Sequence, residues 1–345
     1  MREGKRMDDP AFVDITNLSV AFEQQHGSRV HAVRGVSVKL REGESLGIVG
    51  ESGCGKTTLG SAILNMLPSS AEVTADRFRI AGTDIRPGVE SDYAGLRWSG
   101  VSAIFQNAMT AFNPVERVGT QIVDAIRLHT DSSRAQARSK AEYLFETVGI
   151  DPRRLRAYPH QLSGGMRQRA MIALALSCDP QLVLADEPTT ALDVIAQNQV
   201  LALLKKLRVD LGLTVVMISH DLGAISEVCD RVAVMYAGEI VEEGPMRGVL
   251  VDPQHPYTRA LVGAYPRLRG PKSELVSIPG GPPELSDPSL RTRCSFSARC
   301  SFAVETCVSA RPDLAWVAGS PPRAAACSNP AVVTFMEGAP HGASA

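Results

Sequence analysis

The sequence lacks an excess of either charge and lacks long apolar runs. Its 36 Lys and Arg nearly balance its 37 Asp and Glu, for a formal net charge of −1, so the composition offers no general electrostatic attraction to nucleic acid or anionic lipid. No stretch approaches the roughly eighteen apolar residues that span a bilayer. The N-terminus reaches acidic residues and a proline before any apolar run of signal-peptide length. These absences predict a soluble, intracellular chain for which no nucleic-acid partner is expected, although they leave room for local charged patches.

Low-complexity tracts and internal repeats of solenoid length are also absent. With 44% hydrophobic residues in 345 positions, the chain has enough apolar side chains for a core and is not expected to be disordered. Its length suits one large domain with a smaller appendage, or two domains of ordinary size. Cysteines are few, but four of the seven lie beyond residue 290. The tail of the chain therefore needs an explanation of its own.

Strand and helix patterns alternate along the first 250 residues. Three early apolar stretches, the last of them "ESLGIVG", are typical of strands, and "KTTLGSAILNML" has helical spacing and is closed by Pro68. Residues 115–160 indicate a mostly helical insertion, and the apolar strands "LVLAD" and "TVVMIS" flank a further amphipathic helix. This alternation predicts an α/β fold with a parallel sheet. After about residue 250 Pro and Gly punctuate the chain, which predicts a separate loop-rich unit.

The stretch "GESGCGKT" fits the phosphate-loop pattern G-x-x-x-x-G-K-[ST] between a predicted strand and helix. Its glycines let the backbone wrap a polyphosphate, Lys56 is expected to reach the β- and γ-phosphates of ATP, and Thr57 to ligate Mg²⁺. The alternative is a glycine-rich turn that merely opens a helix. Cys54 is interpreted as a small residue rather than a redox thiol. The predicted nucleotide-binding residues of the loop are Gly50, Glu51, Ser52, Gly53, Cys54, Gly55, Lys56, Thr57 and Thr58.

Two carboxylates, Asp186 and Glu187, stand at the end of the strand "LVLAD", and ligands collect at the carboxyl ends of parallel strands. Together with a phosphate loop, they predict that Asp186 holds Mg²⁺ and that Glu187 orients and polarises the attacking water. His220 follows "TVVMIS" and is a candidate for contact with the γ-phosphate. A single histidine after a strand is more often a capping or core residue, so this role depends on the other motifs.

The segment "LSGGMRQRAMIALAL", which begins at Leu162, makes the sequence resemble the ATP-binding cassette (ABC) family. The resemblance covers roughly residues 11–327 and rests on the order of the motifs. After the phosphate loop come Gln106 in "AIFQNAM", the signature, the paired carboxylates, Asp193 in "TTALD" and His220. It implies that the signature of one cassette closes over the phosphate loop of another in a head-to-tail pair, with Asp193 at the interface.

Three further assignments follow from this resemblance. Ser163, Gly164 and Gly165 open the signature helix and form a second anion-binding helix terminus. Gln106 is expected to sense the γ-phosphate and Mg²⁺. Phe22 in "LSVAF" is a candidate for stacking on adenine, although an aromatic residue in a strand is usually part of the core.

The stretches "HPYTRALVGAYPRL" and "ADEPTTALDV" and the cysteine tail resemble, within that family, the ATPase subunits of oligopeptide and dipeptide importers. Related subunits serve nickel or oligosaccharide uptake. The implied fold is an α/β, ABC-type nucleotide-binding domain over residues 11–250, with a helical subdomain at about 112–165. A loop-rich, cysteine-containing C-terminal extension follows over residues 251–345.

The resemblance also implies partners and a place in the cell. The chain would act at the cytoplasmic face of the membrane with a second ATPase subunit, favoured to be a paralogue, two membrane permease subunits and an extracytoplasmic solute-binding protein. A cassette ATPase of DNA repair or translation is the main alternative. Only 106 residues separate Lys56 from Ser163, too few for the long coiled coil of repair members, and one cassette is present where translation members usually have two. A regulatory cassette without activity is disfavoured because the predicted catalytic residues are present.

The four tail cysteines are Cys294, Cys300, Cys307 and Cys327. ATP chemistry places the chain in a reducing compartment, where structural disulfides are uncommon. The gaps between them are wider than those of zinc-finger knuckles, and four thiolates are the ligand set of an iron–sulfur cube. Similar tails in peptide-importer ATPases are associated with a [4Fe–4S] cluster, and the resemblance implies one here. Zinc, and free thiols that stabilise a loop-rich fold, are the alternatives.

Overall fold

The computed structural model describes residues 11–24, 28–106, 111–190, 192–264, 278–318, 322–329 and 331–333. The last four residues of "HPYTRALVGAYPRL", the four residues after Gln106 and the end of the predicted extension lie outside these ranges. By their internal contacts the described residues form two compact units. Unit 1 falls within Met1–Val13, Leu40–Ser45 and Arg79–Ile218, and unit 2 within Asp14–Lys39, Leu46–Phe78 and Ser219–Ala345.

Strands and helices follow one another as the alternating pattern predicts. No helix in the ranges given above has both the length and the hydropathy to cross a bilayer. In chain order the elements are β1 (Val13–Glu23), β2 (Arg29–Leu40), β3 (Ser45–Val49), α1 (Lys56–Ile63), β4 (Ala71–Thr74), β5 (Arg77–Ile80), β6 (Thr83–Asp84), α2 (Glu90–Tyr93), β7 (Val101–Ile104), α3 (Val118–His129), α4 (Arg134–Thr147), α5 (Gly164–Ala175), β8 (Leu182–Asp186), α6 (Val194–Leu211), β9 (Thr214–Ser219), α7 (Leu222–Val228), β10 (Arg231–Tyr236), β11 (Glu239–Pro245), α8 (Met246–Val251), α9 (Pro256–Gly263), α10 (Glu305–Ser309), β12 (Ala315–Val317) and β13 (Arg323–Ala325).

Unit 1 is built around parallel strands, with β8 pairing with both β7 and β9. β9 is buried along its whole length and β8 over all but its last residue, as expected for parallel strands covered on both faces. Helix α6 ends at Gly212, whose φ of 65° is the left-handed conformation common at a helix C-terminus. The predicted helical content of residues 115–160 is confirmed by α3, α4 and a 3₁₀ turn at Pro152–Arg156.

Unit 2 joins strands from both ends of the chain. β3 pairs with β10 in parallel, and β10 pairs with β11 in antiparallel fashion. From the tail, β13 pairs with β11 and with β12, while near the N-terminus β1 pairs with β2 and with β4. Part of the tail therefore continues the sheet that carries the residues before the phosphate loop. The domain boundary near residue 250 stays a prediction.

The start of α9 is attached to β11 by a buried carboxylate. Glu242 accepts hydrogen bonds from the backbone N–H groups of Gln254 at 2.9 Å and His255 at 2.8 Å. His255 Nδ1 in turn accepts one from the N–H of Tyr257 at 3.1 Å. Burial lowers the pKa of His255 to about 3, so the ring is neutral and able to accept this bond. The letters "QHPY" thus encode a helix start that holds Tyr257 in one position.

Candidate functional site

The phosphate loop in unit 2 is packed closely against its own unit. A Cβ atom on Gly50 would lie 2.1 Å from the carbonyl oxygen of Met235, and one on Gly55 would lie 2.1 Å from that of Ala32. Gly53 and Gly55 have φ values of 79° and 101°, in the region that favours glycine. Only glycine therefore fits at positions 50 and 55. With glycine at both, the backbone can follow the curved path that the motif requires.

Lys56, the first residue of α1, is buried within this loop. Its Nζ donates to the carbonyl oxygens of Gly50 at 2.8 Å and Glu51 at 2.9 Å, so loop carbonyls hold the cation that is expected to meet phosphate. Cys54 is also buried, and burial raises the pKa of its thiol. This agrees with the interpretation of Cys54 as a small, unreactive residue.

The exposed side of the loop suits an anionic group. A Cβ on Gly53 would meet nothing within 4 Å, Ser52 and Thr57 are exposed, and the first turn of α1 carries no acidic residue. A helix N-terminus of this kind, with an adjoining glycine loop, attracts phosphate through its unpaired amides. The hydroxyl of Thr57 is a hard oxygen ligand of the type that Mg²⁺ prefers. The residues present therefore fit a Mg²⁺-bound polyphosphate.

In unit 1 the strand β8 ends in Asp186, and Glu187 follows with a φ of 48°. A non-glycine residue in this conformation is strained, and such strain is concentrated at functional sites. The Glu187 N–H donates to the carbonyl oxygen of Ile218 at 2.9 Å, and its carboxylate accepts a hydrogen bond from Thr190 Oγ1 at 3.0 Å. The backbone and the side chain of Glu187 are thus both held. Thr190 lies within the segment "TTALD", but sequence reasoning gave it no role.

The signature segment and Asp193 lie together in unit 1. Ser163 caps α5 by accepting a hydrogen bond from the N–H of Met166 at 3.3 Å, and Asp193 caps α6 through the N–H of Ala196 at 2.8 Å. A Cβ on Gly165 would lie 3.2 Å from the Cβ of Ala196, so the two helix starts are close neighbours. Ser163, Gly164 and Asp193 are exposed. This pair of exposed helix starts is the surface on which the predicted contact with a second cassette depends.

The remaining predicted residues lie at strand ends. Gln106 is exposed two residues after β7, and His220 is exposed directly after β9. Phe22 is half-buried in β1 and pairs with Ala71 of β4. Phe22 and His220 belong to unit 2 and Gln106 to unit 1. Their roles stay predictions.

Two residues of the tail that sequence reasoning missed contact the phosphate loop within unit 2. Tyr257 Oη accepts a hydrogen bond from the N–H of Glu51 at 2.9 Å, and Arg299 forms an ion pair with the Glu51 carboxylate at 2.8 Å. No motif could have indicated these contacts, because more than 200 residues separate the partners.

The prediction of a [4Fe–4S] cluster on Cys294, Cys300, Cys307 and Cys327 is wrong. Within the described ranges no group of three or more His, Cys, Asp or Glu side chains is arranged to hold a metal ion. Burial raises the pKa of Cys294 to about 12 and also raises the pKa values of the Cys300 and Cys327 thiols. Cys327 instead packs in an apolar cluster with Val317, Ala325 and Val333.

Comparisons with known proteins match two regions of the chain to families. Residues 33–190 match the family described as ABC transporter, and residues 241–307 match the family described as oligopeptide/dipeptide transporter, C-terminal region. The dipeptide transport ATP-binding protein DppD of Bacillus subtilis is 45% identical over 86% of this chain and 88% of its own length. The oligopeptide transport ATP-binding protein OppD of Salmonella typhimurium is 41% identical over 92% and 93%. Neither name mentions iron or sulfur.

The fold matches as well. A dimeric ATP-binding cassette solved in a post-hydrolysis state with ADP and Pi is 27% identical, with a TM-score of 0.59, over 68% of this chain and 99% of that one. The predicted ABC-type α/β fold is therefore confirmed, and a cassette of DNA repair or translation is not favoured. With such relatives over most of its length, the chain belongs to the ABC transporter ATPases that carry the oligopeptide/dipeptide C-terminal region, and its activity is ATP hydrolysis coupled to transport.

Proposed function

We propose that this chain powers the uptake of peptides by binding and hydrolysing ATP at the cytoplasmic face of a membrane permease. The observation that carries the proposal is the phosphate loop, in which tightly packed glycines and the buried Lys56 form an anion cradle. The C-terminal region shared with dipeptide and oligopeptide transport proteins supports the solute class. The subunit is peripheral to the membrane, since the permease lies in other chains.

Each predicted catalytic residue has a chemical task in this proposal. Lys56 binds the β- and γ-phosphate oxygens, and Thr57 and Asp186 provide oxygen ligands for Mg²⁺. Mg²⁺ held by these residues would neutralise negative charge on the phosphate oxygens. Glu187 orients the attacking water and accepts its proton, and the bond from Thr190 supports this by limiting where the carboxylate points. Gln106 and His220 contribute contacts to the γ-phosphate.

The ATP site is proposed to be completed by a second cassette, in head-to-tail arrangement. Support comes from the exposed helix starts at Ser163 and Asp193, because unpaired amides at a helix N-terminus bind anions. Val194 and Ile195, which follow Asp193, are 73% and 72% exposed, and neighbouring exposed apolar side chains are typical of a protein interface. The related cassette with ADP and Pi is dimeric. We propose a paralogue as the partner.

The remaining partners are two permease subunits and an extracytoplasmic solute-binding protein. In unit 1 the segment before α3 and the end of α3 expose large apolar side chains, with Val115 at 78% and Leu128 at 79%. A membrane subunit that covers this helical region would remove that apolar surface from water. Gln106 precedes the same region in the chain, which supports a link between γ-phosphate contact and the permease.

The test is purification of the assembled complex from native membranes, with identification of every co-purifying chain and measurement of its ATPase activity with and without a peptide-loaded binding protein. We expect a permease, a second cassette and a binding protein, and stimulation of ATP hydrolysis by the loaded binding protein. Recovery of the chain alone, or with nucleic acid or ribosomes, would contradict the proposal. A Val115→Asp, Leu128→Asp double variant is expected to lose the permease while still binding ATP.

A further inference from the structure

One arginine of the tail is bonded to the phosphate loop. Arg299 Nη1 and Nη2 donate to the two carboxylate oxygens of Glu51 at 2.8 Å and 3.0 Å, the paired geometry in which arginine binds a carboxylate most firmly. The Arg299 side chain is 7% exposed and that of Glu51 is 23% exposed. Water therefore screens this pair less than it screens an ion pair on the surface.

Arg299 itself contacts three further residues. Its Nε donates to the carbonyl oxygen of Pro279 at 2.7 Å, and Nη1 also donates to Tyr236 Oη at 3.2 Å. The guanidinium carbon lies 5.7 Å from the ring centre of Tyr236 and 5.9 Å from that of Phe296, within the range of cation–π attraction. The bonds to Glu51 and Tyr236 raise the pKa of Arg299 above its usual value. The arginine thus presents a fixed positive charge to the loop.

A second tail residue holds the same loop residue by its backbone. The Glu51 N–H donates to Tyr257 Oη at 2.9 Å. Tyr257 is fully buried, with its ring centre 4.6 Å from that of Tyr236 and 5.5 Å from that of Phe296. Glu51 also accepts a hydrogen bond from Lys56 Nζ through its carbonyl oxygen at 2.9 Å. The tail therefore fixes the peptide that holds the phosphate-binding lysine.

The charge of Glu51 gives this contact a second consequence. A carboxylate within a loop that binds a polyphosphate would repel the ligand, and the repulsion is strong where water is partly excluded. Arg299 neutralises that carboxylate at hydrogen-bond distance. Removing the arginine would leave an uncompensated negative charge in the loop and would release the loop from the tail.

We infer that Arg299 is a positioning residue for the phosphate loop, acting through Glu51, and that ATP affinity depends on it. The inference rests on the proposed function, because it presupposes that ATP binds this loop. According to this inference, the tail contributes to nucleotide binding in addition to distinguishing the transporter class. The effect falls on nucleotide binding more than on the hydrolytic step, since the attack on phosphate is assigned to Glu187.

The test measures ATP binding to the full-length chain by isothermal titration calorimetry. We expect Arg299→Met to raise the Kd for ATP by about tenfold or more, the scale of a lost charge-assisted hydrogen bond. At saturating ATP in the assembled complex, kcat should stay within about threefold, because lost uniform binding alters KM and not kcat. The matched control is Arg293→Met, which removes an arginine paired with Asp287 at 3.1 Å in the same tail. Its Kd should equal that of the wild type.

Two further variants separate positioning from general damage to the fold. Arg299→Lys keeps the charge without the paired geometry and should give an intermediate Kd. The double variant Arg299→Met, Glu51→Gln removes both charges and should bind ATP more tightly than Arg299→Met alone, because the repulsion is gone. A merely structural arginine predicts the opposite, since the double variant has lost still more contacts. A double variant as weak as Arg299→Met or weaker would overturn the inference.

Failure of the inference and failure of the proposed function give different results. If the wild-type chain does not bind ATP, the proposed function fails. If the wild type binds ATP and folded Arg299→Met has the same Kd, only the inference fails. Should Arg299→Met not yield folded protein, Arg299→Lys and Tyr257→Phe carry the test, since the latter removes only the hydroxyl that accepts the Glu51 N–H. Wild-type affinity in both of those variants would overturn the inference.

Discussion

The phosphate loop and the cysteine-bearing tail encode their roles in different ways. The loop is one run of consecutive residues, Gly50–Thr57, and its glycines stand where a side chain would collide with the carbonyl oxygens of Met235 and Ala32. In the tail, the set of four cysteines and the family resemblance suggested a metal cluster, and that prediction was wrong. The spacing of residues in the sequence identifies a site when the backbone of one segment forms that site. The spacing does not identify a site whose side chains come from separate loops.

The contrast between the loop and the tail would fail most clearly if a residue assigned from consecutive residues of a motif had no role in catalysis. We expect Glu187→Gln to lower ATP turnover by about 10²–10⁴, the usual contribution of a positioned base, with ATP binding retained. The measurement is ATPase activity of the assembled complex with the partner's site silenced. Glu142→Gln is the control, because Glu142 pairs only with Arg138 on the surface of α4 among the contacts described here. Near-normal turnover in Glu187→Gln would remove Glu187 from the mechanism.

Two alanine substitutions test how the loop glycines contribute to stability. Gly53 and Gly55 both have positive φ, which costs alanine roughly 1–2 kcal/mol. Only Gly55 would also place its Cβ 2.1 Å from a main-chain oxygen. Gly55→Ala should therefore lower the free energy of unfolding by about 1–3 kcal/mol more than Gly53→Ala, the usual cost of overpacking. Urea denaturation of both variants measures the difference, and equal losses would mean that the close approach is unimportant.

The pH dependence of the free energy of unfolding tests the burial of His255 in the tail. The folded pKa of His255 is about 3 and the ordinary value is about 6.5, so the unfolded chain binds this proton first as the pH falls. The contribution of His255 to the free energy of unfolding is therefore complete above about pH 6.5. It falls by about 2 kcal/mol between pH 7 and pH 5. His255→Gln keeps an acceptor for the Tyr257 N–H. Between pH 7 and pH 5 its free energy of unfolding should fall by about 2 kcal/mol less than that of the wild type.

Urea denaturation at both pH values gives this comparison. The pKa of Glu242 is raised by burial and acts in the opposite direction, because a raised pKa favours the folded state at low pH. Its contribution is present in both proteins and cancels in the difference between them. Parallel pH profiles for the wild type and His255→Gln would show that His255 does not titrate as its burial requires.

The smallest effect concerns the thiols themselves. Cys300 is half-buried, whereas the other six cysteines are buried. Because burial also raises the pKa of Cys300, we expect this thiol to react slowly with a thiol reagent, but before the others, which should react only on unfolding. Cys300→Ser should abolish this early phase, and Cys294→Ser should leave it unchanged. Several early-reacting thiols, or metal released during labelling, would contradict the view of these cysteines as buried core residues.

Sequence reasoning reached the parts of the fold and the candidate site that local patterns encode. The buried strands β8 and β9, the helices within 115–160 and the loop glycines follow from periodicity and motif spacing. Thr190 lies within the quoted segment "TTALD", but the sequence alone does not show that its hydroxyl bonds to Glu187. Tyr257 and Arg299 were missed because they meet Glu51 across 206 and 248 residues of chain.

By itself, the sequence determined the family, the phosphate loop and the order of the candidate catalytic residues, because each depends on residues close together in the chain or on a fixed order of motifs. Tertiary structure alone decided which tail residues contact the loop and how Cys327 packs. Both depend on which distant segments pack together, on how much water is excluded from each side chain, and on the charge left beside it. These quantities belong to the folded chain as a whole, and no short pattern contains them.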